Sequence, residues 1–262
     1  MRFLLQLTTK NIVQRLPFNY QYPLSAAIYK IISRADESYA SFLHEQGYKH
    51  GNKSFKFFTF SDLQTPFIRQ ENFMVMTTNN ASLTICFQLP DAAENFIKGL
   101  FMDQQIDIAD SQGKASFIVQ QVIAKPLPVF AEGATLMFQP MSPVVVGRSN
   151  ERGNYDYVAP HEADFSALLI NNLMSKYSAL SPTVEHELTE LSKQIFIEPQ
   201  FFKNPPRSRL VAIKNGTAAA TQVRGFDKFR LRIHAPRSLL ILALNAGLGM
   251  HNAMGMGCVE LV

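Results

Sequence analysis

The chain has 262 residues, 47% of them apolar and 18% charged, with a formal net charge of +4 and a mean hydropathy of −0.03. Those values exclude a mainly disordered chain and leave room for one large domain or two ordinary ones around a real core. The longest aliphatic run, Leu239 to Leu244, is six residues, against the roughly 18 that a membrane-spanning helix needs.

Arg2 to Thr8 reads as a strand, and Pro23 opens a helix because proline suits the first helical turn; Leu24, Ala27, Ile28 and Ile31 form its apolar stripe. A second helix is predicted from Ser38 to Gln46, with Tyr39, Phe42 and Leu43 as its stripe and Gly47 as its stop. Strands follow at Phe55 to Phe60, at Phe67 to Met76 with a turn near Glu71, and at Ser82 to Leu89. A helix from Asp91 to Met102 and a strand from Ala115 to Ile123 complete the order of a ferredoxin-like unit. Lys125-Pro126-Leu127-Pro128 can continue neither a central strand nor a helix, which divides the chain into residues 1–125, a linker at 126–133, and residues 134–262. The second part repeats the rhythm. It carries strands at Thr135 to Phe138 and Val144 to Gly147, helices at Glu162 to Leu180 and Val184 to Gln194, strands at Arg209 to Lys214 and Lys228 to His234, a helix at Arg237 to Ala246, and a strand at Met256 to Val262. The expected fold class is α+β, with two tandem ferredoxin-like domains.

The opening Met1 to Leu7 meets a Gln before an export signal's apolar region could form, and both cysteines, Cys86 and Cys258, lie in apolar segments. A reducing, cytoplasmic setting with no membrane attachment is therefore expected. Between Lys203 and Arg237 the chain carries nine Lys or Arg and one acid, Asp227, so that segment holds +8 while the remainder holds −4. A local basic surface of this kind suits a polyanion.

Common catalytic signatures are absent. There is no phosphate-binding G-x-x-x-x-G-K-[ST], no G-x-S-x-G and no C-x-x-C, and the His-Glu pairs at His44, His161 and His186 lack the second histidine of a zinc helix. Neither a metal nor a cofactor is expected. Two local features do carry chemistry. Gly247, Gly249, Gly255 and Gly257 fall within eleven residues after a helix, a composition that lets backbone approach a phosphate. The segment Lys228-Phe229-Arg230-Leu231-Arg232-Ile233-His234 alternates strictly, so a strand there turns Phe229, Leu231 and Ile233 inward and Lys228, Arg230 and Arg232 outward, toward a phosphate backbone or simply as a charged protecting edge.

Three further segments, Tyr22-Pro23-Leu24-Ser25-Ala26-Ala27-Ile28-Tyr29, Phe42-Leu43-His44-Glu45-Gln46-Gly47-Tyr48 and Phe55-Lys56-Phe57-Phe58-Thr59-Phe60-Ser61, resemble the N-terminal half of the Cas6 family. These are CRISPR-associated endoribonucleases. Pro140 to Val144 resembles the start of that family's second domain, and Gly-Leu-Gly … Gly-Met-Gly is similar to its glycine-rich loop, although Met254 and Met256 stand where the family often has aromatic residues. The resemblance implies two RRM-related domains that bind CRISPR repeat RNA, act alongside other CRISPR-associated proteins of an effector complex, and cleave the RNA once without metal. It assigns His44, Tyr29 and Lys56 to catalysis, with His50 in reserve and the roles of acid and base open. A repeat-binding subunit that does not cleave, and a ferredoxin-like interaction protein with no nucleic-acid role, are the alternatives. The wheel places Tyr29 and His44 off their apolar stripes, as for solvated surface residues, and Lys56 reads as an exposed strand residue.

Overall fold

The computed structural model describes residues 1–9, 14–71, 73–110, 113–151, 153–181, 185–213 and 220–262. Its first half runs β1 (Arg2–Thr8), β2 (Arg15–Pro17), α1 (Gln21–Ala35), α2 (Glu37–Glu45), β3 (Tyr48–His50), β4 (Lys53–Phe55), β5 (Phe58–Phe60), β6 (Phe67–Gln70), β7 (Phe73–Met76), β8 (Asn80–Phe87), α3 (Pro90–Asp103), β9 (Gln105–Ala109) and β10 (Lys114–Ala124). The second half runs β11 (Thr135–Pro140), β12 (Gly147–Ser149), β13 (Tyr155–Tyr157), α4 (Phe165–Leu180), α5 (Glu185–Lys193), β14 (Phe196–Phe201), β15 (Arg207–Ile213), β16 (Thr221–Asp227), β17 (Phe229–His234), α6 (Arg237–Ala246) and β18 (Val259–Leu261).

Two antiparallel sheets organise these elements, in the orders β5-β8-β1-β10-β9 and β14-β17-β11-β18. Counting only the strands of the repeating unit, each sheet reads second, third, first, fourth, the ferredoxin-like arrangement. Each half also places a hairpin, β6–β7 or β15–β16, between its second and third strands. The apolar stripes of α1 and α3 close the first core over Leu5, Leu83 and Phe117, while α4 and α6 close the second over Phe138, Leu231 and Ile233.

Several expectations need correction. Phe55 to Phe60 is not one strand: strand pairing is interrupted at Lys56, Phe57 takes φ 53°, and the Phe57 ring joins the second core while Phe58 and Phe60 join the first. Val144 makes only an isolated bridge to Phe226. The last strand starts at Val259 because Met256 to Cys258 belong to the preceding loop. Lys228 lies in the turn before β17, at φ 62°, so strand alternation does not aim its side chain. Strands β9, β14 and β16 were not expected from the sequence. Val184 and Lys214, expected at element ends, fall outside the described residues.

Polar contacts lock the halves together. The buried Arg2 of β1 donates to the Leu244 carbonyl at 3.2 Å, in the last turn of α6, and to the Val259 carbonyl at 2.9 Å. A cation at a helix C-terminus is favoured by the helix dipole and satisfies its free carbonyls. Arg209 of β15 meanwhile bonds Asp62 of the first half, and Asp62 also accepts from the Tyr20 hydroxyl at 3.4 Å.

Candidate active site

The site begins with two helix termini. Asp36 caps α2, its carboxylate accepting from the Tyr39 N–H at 2.8 Å, and so fixes the turn that folds α2 back against α1. Tyr29 on α1 then meets His44 near the end of α2: the rings stand 5.0 Å apart and 89° to one another. The other side of the Tyr29 ring rests edge-on against Phe58 of β5 at 5.4 Å. Tyr29 is thus half-buried against the first core, not solvated as its wheel position suggested, whereas His44 is exposed as expected. Burial pushes the Tyr29 phenol well above its ordinary range, so it stays a neutral proton donor.

The interruption between β4 and β5 at Lys56 supplies the third group. Lys56 is half-buried and its Nζ donates to the His44 carbonyl at 3.0 Å, occupying a free carbonyl of the last turn of α2. Partial burial, and then the charge of Lys49, hold the Lys56 ammonium below its ordinary pKa. Gly47 makes this path possible. It has φ +62°, and a Cβ there would lie 2.6 Å from the Phe55 carbonyl oxygen and 2.8 Å from Lys56 Cδ. The structure therefore brings Tyr29, His44 and Lys56 together from α1, α2 and a loop. The reserve candidate, His50, is exposed at the tip of the β3–β4 hairpin, paired with Lys53.

The glycine-rich loop lies beside this cluster. Ser25, one helical turn before Tyr29, donates to the Ala253 carbonyl at 2.6 Å, and Thr59 of β5 donates to the Met256 carbonyl at 3.0 Å. All four glycines are buried with positive φ, and a Cβ on Gly257 would lie 1.8 Å from the Leu248 oxygen. Three of their N–H groups are already engaged within the protein and so are not free for a phosphate: Gly247 donates to Ala243, Gly255 to Asn252 and Gly257 to Pro143. The glycines first serve to fold the loop tightly against Val145, Phe60 and itself.

Two residues that hold the loop were missed. Asn252 Nδ2 donates to the Leu248 and Met256 carbonyls, each at 3.0 Å. Lys176 of α4 is buried, and its Nζ donates to the carbonyls of Gly247 at 2.7 Å and Gly249 at 3.0 Å. Desolvation lowers the Lys176 pKa to about 7.

On the second sheet, Phe229, Leu231 and Ile233 are fully buried and Arg230 and Arg232 lie on the opposite face, as expected. The protecting-edge reading fails, because β17 lies between β14 and β11. Arg232 also has a carboxylate partner, Glu198, at 2.9 Å. Among the described residues, no group of three or more His, Cys, Asp or Glu could hold a metal ion, and no helix is long and apolar enough to cross a membrane.

Fold and site together define an α+β protein of two tandem ferredoxin-like units with a Tyr, His and Lys cluster beside a loop that ties the units together. The family described as "CRISPR associated protein Cas6, C-terminal" matches residues 125–261, and "CRISPR-associated protein Cas6, N-terminal" matches residues 15–123. The chain belongs to the Cas6 family. It is similar to CRISPR-associated endoribonuclease Cas6 1 of Methanocaldococcus jannaschii, 29% identical over 99% of this chain and 92% of the relative. It is also similar to CRISPR-associated endoribonuclease Cas6 of Pyrococcus furiosus, 26% identical over 100% of this chain and 90% of the relative. A solved structure described as "CRISPR associated protein Cas6" superposes with TM-score 0.72 at 26% identity, covering 100% of this chain and 99% of that one. A second, from a Cas6-related gene of Pyrococcus furiosus, gives TM-score 0.79 at 18% identity, covering 100% and 98%, which concerns the fold alone.

Proposed function

We propose that this protein is an endoribonuclease that binds CRISPR repeat RNA and cleaves the precursor transcript without a metal, using Tyr29, His44 and Lys56. The observation that carries this reading is the convergence of the three side chains, with the His44 and Tyr29 rings 5.0 Å apart and Lys56 bonded to the His44 carbonyl. The relatives named as endoribonucleases support it.

RNA brings its own nucleophile, so the protein must align the 2′-hydroxyl with the adjacent phosphorus and manage two protons and one developing charge. In the proposed step the 2′-oxygen loses its proton to a base and bonds to phosphorus. The bond from phosphorus to the 5′-oxygen breaks, and that oxygen takes a proton from an acid. The products are a 2′,3′-cyclic phosphate and a 5′-hydroxyl. His44 can serve at either proton, because imidazole gains and loses a proton near neutral pH. Tyr29, kept neutral, orients the hydroxyl or serves the other proton. Lys56 places a fixed cation toward the non-bridging oxygens, where negative charge grows.

Lys228 and Arg230 serve as phosphate contacts on the second unit, joined by Arg232 when it leaves Glu198. Gly247, Gly249, Gly255 and Gly257 shape the loop against which RNA lies. We place the boundary between the units in residues 126–133. A denaturing gel of repeat RNA incubated with the purified protein and EDTA tests the reading: one discrete cut supports it. Binding without a cut would leave the non-cleaving subunit, and dependence on added metal would remove the metal-free route.

A further inference from the structure

The second sheet exposes two phenyl rings on the face away from its core. Pairing of β14 with β17 sets Phe196 opposite His234, Glu198 opposite Arg232 and Gln200 opposite Arg230, while Ile197 and Ile233 face the core. Phe196 is 48% exposed, and Phe202, just past the strand, is 45% exposed. A one-sided antiparallel sheet normally shows polar residues to water, and exposed aromatic side chains beside an edge strand invite aggregation.

Each ring carries a cation. The Arg232 guanidinium lies 5.6 Å from the Phe196 centroid, and that of Arg230 lies 5.3 Å from the Phe202 centroid. Such pairing holds flat surfaces of opposite character side by side, suited to a ligand with π faces and an anionic connector. Charge does not dominate the face. Glu198 compensates Arg232 at 2.9 Å, whereas among the described residues Arg230 has no carboxylate partner and its buried Nε has no hydrogen-bond partner. Phe196 and Phe202 stand six positions apart, about 20 Å of extended backbone, so they serve different units of one extended ligand.

We infer that Phe196 and Phe202, flanked by Arg232 and Arg230, form a stacking platform for the bases of unpaired RNA. This rests on the reading of the protein as an RNA-binding enzyme and deepens it, since bases within a duplex are stacked on one another and cannot offer their faces. Binding here is carried by stacking more than by counter-ion release.

The test compares the parent with a Phe196→Leu/Phe202→Leu double variant, which keeps apolar volume and removes the rings. Fluorescence anisotropy follows a short labelled oligoadenylate, alone and paired with oligouridylate, over a range of salt. The parent will prefer the single strand, and the double variant will bind it on the order of ten-fold more weakly for each base lost, with an unchanged salt slope. Phe196→Trp/Phe202→Trp will restore binding. Because both rings are partly exposed, thermal midpoints will remain close, which separates stacking from a loss of fold. The platform is overturned if the double variant binds the single strand as the parent does, if its salt slope flattens, or if the parent prefers the duplex. A parent that ignores both oligonucleotides but self-associates, and loses self-association in the double variant, makes the face a protein interface. If the parent binds and cuts repeat RNA while the double variant binds unchanged, only the platform falls. If the parent binds no RNA at all, the enzyme reading falls with it.

Discussion

Gly47→Ala tests the geometry of the proposed catalytic cluster without replacing any of its three residues. The left-handed backbone at φ +62° costs an alanine about 1 to 2 kcal/mol. The new Cβ would stand 2.6 Å from the Phe55 oxygen and 2.8 Å from Lys56 Cδ, so Lys56 must leave its path and give up its bond to the His44 carbonyl. With about 0.5 to 1.5 kcal/mol for that partly exposed bond, the total loss is about 1.5 to 3.5 kcal/mol, or about 3 to 14 °C in Tm at about 2 to 4 °C per kcal/mol. With Lys56 in the role proposed for it at the scissile phosphate, its displacement will slow single-turnover cleavage by about 100-fold or more. Gly51→Ala is the control: it has φ +56° and open space around the added methyl, so it carries the backbone strain without the crowding. It will lower Tm and leave the cleavage rate near that of the parent. Parental cleavage by Gly47→Ala, or equal slowing by both variants, would refute the role given to Lys56.

Three other outcomes follow from the same geometry. His44→Ala will slow single-turnover cleavage by about 10² to 10⁴-fold while affinity for uncut RNA holds, and because His44 is exposed its Tm will change little; cleavage within a few-fold of the parent would move the proton-transfer role elsewhere. Lys176 titrates at about 7 in the fold and ordinarily at 10.5, so between those values the unfolded chain binds more protons and the folded state gains stability as pH rises. Urea denaturation should show the parent gaining about 2 kcal/mol on Lys176→Met between about pH 7 and 9, and a constant difference would contradict the burial of its charge. Lys228→Ala will weaken binding of all RNA sequences alike and flatten the salt slope by about 0.7, and an unchanged slope would remove it from the phosphate contacts.

Local patterns made much of the fold legible. Helices α1, α2, α3 and α6 lie within two residues of where periodicity, Pro23 and Gly47 placed them, α1 opening at Gln21 rather than at Pro23, because those signals act within one helical turn. Strand β14 was missed because Pro199 argues against a strand, yet β14 is an edge strand, where a missing N–H is tolerated. Phe57 misled for another reason: Phe55 to Phe60 looks continuous until one ring is claimed by the other unit's core. The proposed catalytic cluster could not be assembled from spacing, since its members come from α1, α2 and a loop, and family resemblance selected them. Nothing local marks Lys176 as buried, because the Gly247 and Gly249 carbonyls that hold it lie 71 and 73 residues away.

The most direct measurement is cleavage of repeat RNA carrying a single deoxynucleotide immediately upstream of the cut, in EDTA, beside the all-ribose strand. Attack by the 2′-hydroxyl, managed by His44, Tyr29 and Lys56, predicts that the ribose strand is cut in EDTA to a 2′,3′-cyclic phosphate while the deoxy strand is bound and left intact. Cleavage of the deoxy strand at the same bond would contradict the account.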